Sequence, residues 1–389
     1  MELDRKYQVM LALVKASLWG GPIPNGVNHE VFEEMEKHLI TVVPFHILPQ
    51  IDLDNDLRNV WQKINYERIF HNVNCMYVQR QLPITIPYVI LKGTEAAKYY
   101  PDPKCRALGD IDLITYHEDF GVAYQQLLDG GFKLICDEGR EAVFLKNKII
   151  IELHRSFAKL NCHAYAEYLD NIIIKNINQN HVLPDNINGL VLLEHISQHL
   201  VNGLGLRQII DWMMFVDRCL PDSRWPEFCI MTQNIGLEKL AVVTTRMCEI
   251  YLGLSHRNWC AGADEVLCDN LMMYLLNSGN FGNKRTSDRD ISESVFIYAR
   301  GPIELLKLLQ KRGTHNWKAT QNHPMLKPLA WIYQAGRYLK RGLAQKNAKS
   351  EIKAAYTESR KKLELFDALG VRQDSKGIVV YKDGRYVLE

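Results

Sequence analysis

Two aspartates, one residue apart, carry the clearest chemical signal in this sequence of 389 residues. Asp110 and Asp112 lie in a short run whose other members, Ile111, Leu113 and Ile114, are apolar, which predicts a buried strand. Alternate side chains of a strand project from one face, so we expect the two carboxylates to lie together. Such a pair repels unless a cation lies between, and hard oxygen ligands suit Mg²⁺. We therefore interpret the pair as a metal site.

A glycine turn precedes this strand. Gly93 and Thr94 stand at a predicted helix start, where backbone N–H groups can bind a phosphate. Lys92, before the turn, and Arg106, four residues before Asp110, could each neutralise a triphosphate. Arg106 could instead pair with Asp110, and Lys92 could be a surface lysine. A phosphate turn followed by a metal pair is the outline of a phosphoryl-transfer site.

A third carboxylate occurs further along the chain. Glu152 interrupts the apolar strand predicted at 148–153 and shares a face with Ile150 and His154. We favour Glu152 as a third metal ligand, because a strand order that places it beside the Asp strand is natural here. The alternative is an edge strand with Glu152 and His154 facing solvent. His154 could orient a carboxylate, act as a base or, as we favour, simply support the ligands.

Two further features allow a functional and an ordinary interpretation. His195 and His199 stand one helical turn apart, a spacing that can bind zinc, but no third ligand is evident and histidines lining a core are commoner. The segment 337–362 has nine basic and two acidic residues, with Tyr338 and Tyr356 between them. It is either a solvated helix face, which we favour, or a surface for a phosphate-rich partner such as RNA.

The elements that must position these residues alternate in type along the chain. Apolar spacing predicts helices at both ends, and strands alternate with helices between them, which indicates the α+β class with a small mixed sheet. The last residues alternate around Asp383-Gly384 and predict a β-hairpin with a type I′ turn. The expected segments are a helical region at 1–85, the α/β domain at 86–180, a helical domain at 181–370 and a hairpin tail at 371–389.

Composition describes an ordinary globular protein. Hydrophobic residues make up 47% and charged residues 24%, and the net charge of +2 favours no class of partner. No apolar stretch is long enough to span a membrane, and the first residues do not form a signal peptide. The nine cysteines are scattered without a Cys-x-x-Cys pair, so we expect reduced thiols, no disulfide partner and a cytoplasmic location.

The motif residues resemble the DNA polymerase β nucleotidyltransferase superfamily, and more closely a bacterial family of uncharacterised nucleotidyltransferases. About 65 residues carry the resemblance well, and the region from Leu193 to Asp211 fits more loosely. The matching motifs are Leu91-Lys92-Gly93, Tyr99-Tyr100-Pro101-Asp102-Pro103, Arg106-Ala107-Leu108-Gly109-Asp110-Ile111-Asp112-Leu113, Gly130-Gly131-Phe132 and Ile151-Glu152-Leu153-His154.

This resemblance implies a nucleotidyltransferase domain. Asp110, Asp112 and Glu152 would be the catalytic residues and would hold Mg²⁺, with Mn²⁺ as the alternative ion. The usual turn of the superfamily carries Gly-Ser or Gly-Gly, whereas this chain has Gly-Thr, which keeps a hydroxyl group. The predicted nucleotide-binding residues are Lys92, Gly93, Thr94, Arg106 and Gly109.

The implied reaction moves a nucleoside monophosphate from a nucleoside triphosphate to an acceptor and releases pyrophosphate. The acceptor could be a small molecule, a sugar, a peptide, a protein or tRNA. Two alternatives stay open: an inactive nucleotide- or RNA-binding protein on the same fold, and a toxin-like nucleotidyltransferase that modifies tRNA.

Overall fold

A computed structural model of the chain describes residues 3–160, 162–200, 202–280, 301–343, 348–371, 379–382 and 385–388. The chain divides into two compact units. One comprises Met1–Lys284 with Ile378–Glu389, and the other comprises Arg285–Gly377. The four segments expected from the sequence are a finer division, which stays a prediction.

The first unit begins with helices α1 (Arg5–Trp19), α2 (His29–Lys37) and α3 (Asn55–Arg80). The polar run before α3 supplies its N-cap, since the side chain of Asp54 accepts a hydrogen bond from the Leu57 amide. Apolar residues at helical spacing between Leu57 and Tyr77 predict a long helix here, and α3 confirms it with slightly wider bounds.

A five-stranded mixed sheet follows, with the strand order β1-β2-β5-β4-β3. Strands β2 and β5 are parallel, and the other neighbours are antiparallel. Helices α4 (Gly93–Ala97) and α5 (Phe120–Asp129) lie in the connections. The strands are β1 (Tyr88–Leu91), β2 (Ile111–Thr115), β3 (Lys133–Glu138), β4 (Glu141–Lys146) and β5 (Ile149–His154). The predicted α+β class is confirmed.

One face of this sheet packs on a hydrophobic core that includes residues of α3 and α5. Leu113, Ile151 and Leu153 belong to that core, so the residues alternating with them face the other side. Strand β5 lies between β2 and β4, and the alternative that it forms an edge of the sheet is therefore wrong.

Helix α4 is shorter than expected. The sequence predicts a helix from Thr94 to Tyr100, but α4 ends at Ala97. The residue before a proline is displaced from helical geometry by the pyrrolidine ring, and Pro101 follows Tyr100 directly. The helix therefore makes little more than one turn.

Helices complete the first unit and make up most of the described part of the second. Helices α7 and α8 are almost entirely buried. The first-unit helices are α6 (His163–Lys175), α7 (Asp185–His199), α8 (Leu206–Cys219), α9 (Trp225–Asn234), α10 (Glu238–Leu252) and α11 (Glu265–Ser278). The second-unit helices are α12 (Pro302–Asn316), α13 (Ala319–Asn322), α14 (Ala330–Leu343) and α15 (Ala348–Ala368).

The predicted C-terminal hairpin is confirmed. Strands β6 (Val379–Lys382) and β7 (Arg385–Leu388) pair in antiparallel register, with Lys382 opposite Arg385. That register leaves a two-residue connection, and Asp383-Gly384, on which the type I′ prediction rests, lie outside the described residues.

Two expectations from composition concern the whole chain. All nine cysteines are free thiols. No helix in the described ranges combines the length and the apolar character needed to cross a lipid bilayer.

Candidate functional site

The carboxylates predicted from the sequence meet on the face of the sheet opposite the core. Asp112 of β2 stands directly beside Glu152 of β5 in the parallel register, so both side chains project from the same face. Asp110 immediately precedes β2 and is half-buried. The pairing of β2 with β5 therefore unites residues that are 40 positions apart in the chain.

Asp112 is the centre of this cluster. Its side chain is 1% exposed, and its Oδ1 atom lies 2.9 Å from Lys92 Nζ and 2.9 Å from His154 Nε2. Burial alone would raise the pKa of Asp112, but the charges of Lys92 and His154 outweigh it and hold the pKa well below its usual range. Asp112 is thus an ionised carboxylate at neutral pH.

His154 joins three carboxylates. Its Nε2 atom also lies 3.7 Å from Glu152 Oε2, and its Nδ1 atom lies 3.2 Å from Glu141 Oε2. Burial lowers the pKa of His154, while Asp112 and Glu141 raise it, and the net shift is upward. Contact with His154 in turn lowers the pKa of Glu141 to about 2, against the effect of burial. His154 therefore contacts Asp112 and Glu141 at once, and the supporting role favoured from sequence stays a prediction.

The ionised form of Glu152 is disfavoured by its surroundings. Burial and then the negative charges of Asp112 and Asp110 raise the pKa of Glu152 to about 7. Asp110 thus contributes its negative charge to the same group. Carboxylates that crowd one another in this way require positive charge between them.

The donor atoms of Asp112, Glu152 and His154 lie within 4.8 Å of one another, a spacing that a metal ion could bridge. Carboxylate oxygens dominate this set, and oxygen is the ligand that Mg²⁺ and Mn²⁺ prefer. The carboxylates of this group therefore fit a divalent cation.

The turn before α4 has an unusual backbone. Lys92 has a φ of 53° and Gly93 a φ of 42°, both in the left-handed region that a lysine rarely adopts. Strain of this kind persists only where surrounding contacts impose it. Lys92 forms an ion pair with Asp112, so the predicted phosphate-neutralising lysine lies in the site but is paired with a carboxylate.

The other residues of the predicted phosphate turn are partly engaged. Thr94 Oγ1 donates a hydrogen bond to Gln79 Oε1 of α3 at 2.8 Å. Helix α4 is too short for a substantial dipole, so any phosphate contact there depends on the individual amides of Gly93 and Thr94.

Helix α3 holds the loop that leads into β2. The side-chain amide of Asn72 donates to the carbonyl groups of Lys104 and Arg106 and accepts from the Leu108 amide. The thiol of Cys75, one turn later, donates to the carbonyl group of Gly109 at 3.7 Å. Gly109 itself is exposed, next to Asp110.

Arg106 does not pair with Asp110, the partner considered from sequence. Its guanidinium donates two hydrogen bonds to Asp211 of α8, from Nε at 3.0 Å and from Nη2 at 2.7 Å. The hydroxyl of Tyr100 donates to the same carboxylate at 2.8 Å. Sequence reasoning could not find this partner because 105 residues separate it from Arg106. The guanidinium is committed to this buried ion pair, which joins the loop before β2 to α8.

The histidine pair of α7 lies close to the cluster. His195 Nε2 and His199 Nε2 are 2.9 Å apart. Burial, followed by the nearby charge of Lys92, lowers the pKa of both residues, in the case of His199 to about 3. Both rings are therefore neutral, and they join no group of three metal ligands among the described residues. The two neutral rings are subject to the charge of Lys92, the residue that pairs with Asp112.

Sequence reasoning missed three charged residues near His154 and His199. Glu141 contacts His154, while Lys159 and Arg207 are cations whose charges lower the pKa of His199. A charge within a largely apolar segment was the available signal for Arg207, which precedes Ile209 and Ile210 in α8, whereas Glu141 follows a polar run. None of the three belongs to a motif.

Comparison with known proteins gives one match. The chain matches the family model described as "Uncharacterised nucleotidyltransferase" over residues 46–253, which is just over half of its length and includes every residue of the cluster. No curated protein and no solved structure matches the chain. From the extent of the family match, we conclude that this protein belongs to the uncharacterised nucleotidyltransferase family.

Proposed function

We propose that this protein transfers a nucleoside monophosphate from a nucleoside triphosphate to an acceptor hydroxyl group, with a divalent cation, Mg²⁺ or Mn²⁺, held by Asp110, Asp112 and Glu152. The observation that carries the proposal is the parallel pairing of β2 with β5, which sets Asp112 beside Glu152 in a chain of the nucleotidyltransferase family. Asp110 is included because it immediately precedes β2, two residues before Asp112, and alternate residues share a face.

The reaction has a simple balance. The acceptor oxygen forms a bond to the α-phosphorus, the bond from that phosphorus to the bridging oxygen breaks, and pyrophosphate leaves with the electron pair. The acceptor proton passes to water. A divalent cation in this site would supply Lewis-acid stabilisation of the charge that develops on the phosphate oxygens.

Neighbouring residues of the chain position the carboxylates and offset their mutual repulsion. Lys92 and His154 hold Asp112 ionised and fix Oδ1 from two directions. His154 is itself oriented by Glu141. Because phosphoryl transfer depends mainly on positioning and charge, these contacts are the part of catalysis that the protein supplies.

The test uses the full chain, Mg²⁺ or Mn²⁺, and each of the four nucleoside triphosphates labelled at the α-phosphate. Transfer of label to tRNA, protein, peptide or small-molecule fractions, together with pyrophosphate release, is the expected result. Asp112→Asn and Glu152→Gln should each reduce turnover at least about a hundredfold, since charge opposite the reacting phosphate is lost. Glu118→Gln, which changes an exposed carboxylate beside α5, is the matched control and should leave turnover unchanged.

The alternatives give different outcomes in the same experiment. A binding protein on this fold would show nucleotide affinity that survives Asp112→Asn, without any labelled product. A toxin-like enzyme would place the label on tRNA. If the chain neither binds nor turns over any of the four triphosphates with either cation, the proposal is wrong. A cytoplasmic location, which suits nine free thiols, is part of the proposal.

A further inference from the structure

Arg207 lies at the start of α8, against the loop that leads to Asp110. Its side chain is buried, with 9% of its surface exposed. Its Nη1 atom donates a hydrogen bond to the carbonyl group of Ala107 at 3.2 Å. A Cβ atom added to Gly109 would lie 4.0 Å from the same nitrogen, so the guanidinium also lies close to that exposed glycine. The guanidinium thus borders the carboxylate site.

This guanidinium forms no direct ion pair among the described residues, although the charges of Asp211 and Asp110 act on it. In contrast to the neighbouring Arg106, Arg207 forms no ion pair with a carboxylate in the part of the chain that the structure describes, and its buried Nε atom has no hydrogen-bond partner. Burial, and then the positive charge of Arg106, lower the pKa of Arg207 to about 10. A buried charge without a partner is costly, so its retention indicates an anion that comes from outside the chain.

The anion would lie beside the candidate site. The charges of both Lys92 and Arg207 lower the pKa values of His195 and His199, and Arg207 contacts the loop that leads to Asp110. Lys92 forms an ion pair with Asp112, whereas Arg207 forms none in the part of the chain that the structure describes. Of these two cations, Arg207 is therefore the one available to a phosphate group.

We propose that Arg207 binds the pyrophosphate portion of the donor nucleotide, a role that rests on the proposed function of the site. Negative charge accumulates on pyrophosphate as the bond to the α-phosphorus breaks, and a fixed cation stabilises it. The planar fork of a guanidinium matches two phosphate oxygens, which a single ammonium group cannot do. The hydrogen bond to Ala107 fixes the fork before the ligand arrives.

The test measures binding of inorganic pyrophosphate to the full chain with Mg²⁺ by isothermal titration calorimetry. Arg207→Gln should weaken binding about ten- to a hundredfold, the range expected for losing hydrogen bonds to a charged group. Arg207→Lys should fall between this variant and the wild type, because the charge remains and the fork is lost. Arg218→Gln, on the exposed side of the same helix, should bind as the wild type does.

Unfolding does not confound this comparison. Removing an unpaired buried charge should leave the thermal midpoint of Arg207→Gln unchanged or higher, and Arg207→Lys retains both charge and length. Equal pyrophosphate affinity in the wild type and in folded Arg207→Gln would overturn the proposal, as would a wild-type chain that does not bind pyrophosphate.

The outcomes also separate this proposal from the function on which it rests. Binding of pyrophosphate that depends on Arg207, without transfer of label to any acceptor, would support the anion site and refute the transferase. Transfer of label that is unaffected by Arg207→Gln, with an unchanged KM for the triphosphate, would support the transferase and refute the anion site at Arg207.

Discussion

The buried ion pair between Arg106 and Asp211 allows a quantitative prediction. Asp211→Asn preserves the shape of the side chain but removes its charge. The new amide nitrogen would face Arg106 Nη2, which now donates at 2.7 Å, or else the two donors that converge on Oδ1 from Arg106 and Tyr100. In either orientation the amide N–H donors of the new asparagine would face N–H or O–H donors, and a hydrogen bond would be lost. Arg207, the adjacent buried cation, would then lie near a second guanidinium without a counter-ion.

We expect this substitution to lower the free energy of unfolding by about 3–5 kcal/mol, the range for removing one partner of a buried ion pair. The pair Arg155–Asp137 is the matched control. It also has two hydrogen bonds, from Nη1 at 2.7 Å and from Nη2 at 3.0 Å, but its side chains are 26% and 35% exposed. Asp137→Asn should therefore cost about 1 kcal/mol or less.

The assay is urea unfolding at pH 7, followed by far-UV circular dichroism and tryptophan fluorescence, to which the buried Trp212 next to Asp211 contributes. The double variant Arg106→Met with Asp211→Leu should be more stable than Asp211→Asn, because no unpaired charge remains at this position. Similar losses for Asp211→Asn and Asp137→Asn, or no loss for Asp211→Asn, would refute the reasoning from burial.

Two further predictions concern helix α7. Burial raises the pKa of Glu194 to about 7, so between about pH 4.5 and 7 the folded chain binds more protons than the unfolded chain. Its stability should fall by about 3 kcal/mol relative to Glu194→Gln as the pH rises through this window, in urea titrations at several pH values, and a constant difference between the two proteins would contradict this. Gly189 is packed so closely that an added Cβ would lie 2.2 Å from Phe215 of α8. Gly189→Ala should therefore destabilise the chain by about 1–3 kcal/mol, whereas Gly121→Ala, where a Cβ meets nothing within 4 Å, should be neutral or slightly stabilising in the same thermal melts.

Local patterns in the sequence were sufficient for the strands and for the carboxylates. Alternation of apolar and charged residues placed β2 at residues 111–115, the bounds that the structure has, and marked Glu152 as a charge in an apolar strand. These signals are local because the period of a strand is set by its own backbone. The metal-binding and catalytic roles of Asp110, Asp112 and Glu152 stay predictions.

Contacts between distant residues could not be predicted from one sequence. The partner of Arg106 is 105 residues away, and the approach of Arg207 to the loop before β2 depends on how α8 packs. The double contact of His154 with Asp112 and Glu141 requires the register of three strands, which no single segment encodes. Periodicity identifies which side chains are buried but not which partner each one meets.

The hydrogen bonds from helix α3 to the loop before β2 determine where this protein can be truncated. A fragment that starts after Arg80 would keep every carboxylate of the cluster and lose the side chains of Asn72, Cys75 and Gln79, which hold the two segments bearing Gly109 and Thr94. The family match, which begins at residue 46, includes α3 and leaves out α1 and α2. A fragment that keeps the candidate site intact should accordingly be cut before α3, not at the prolines that precede the sheet.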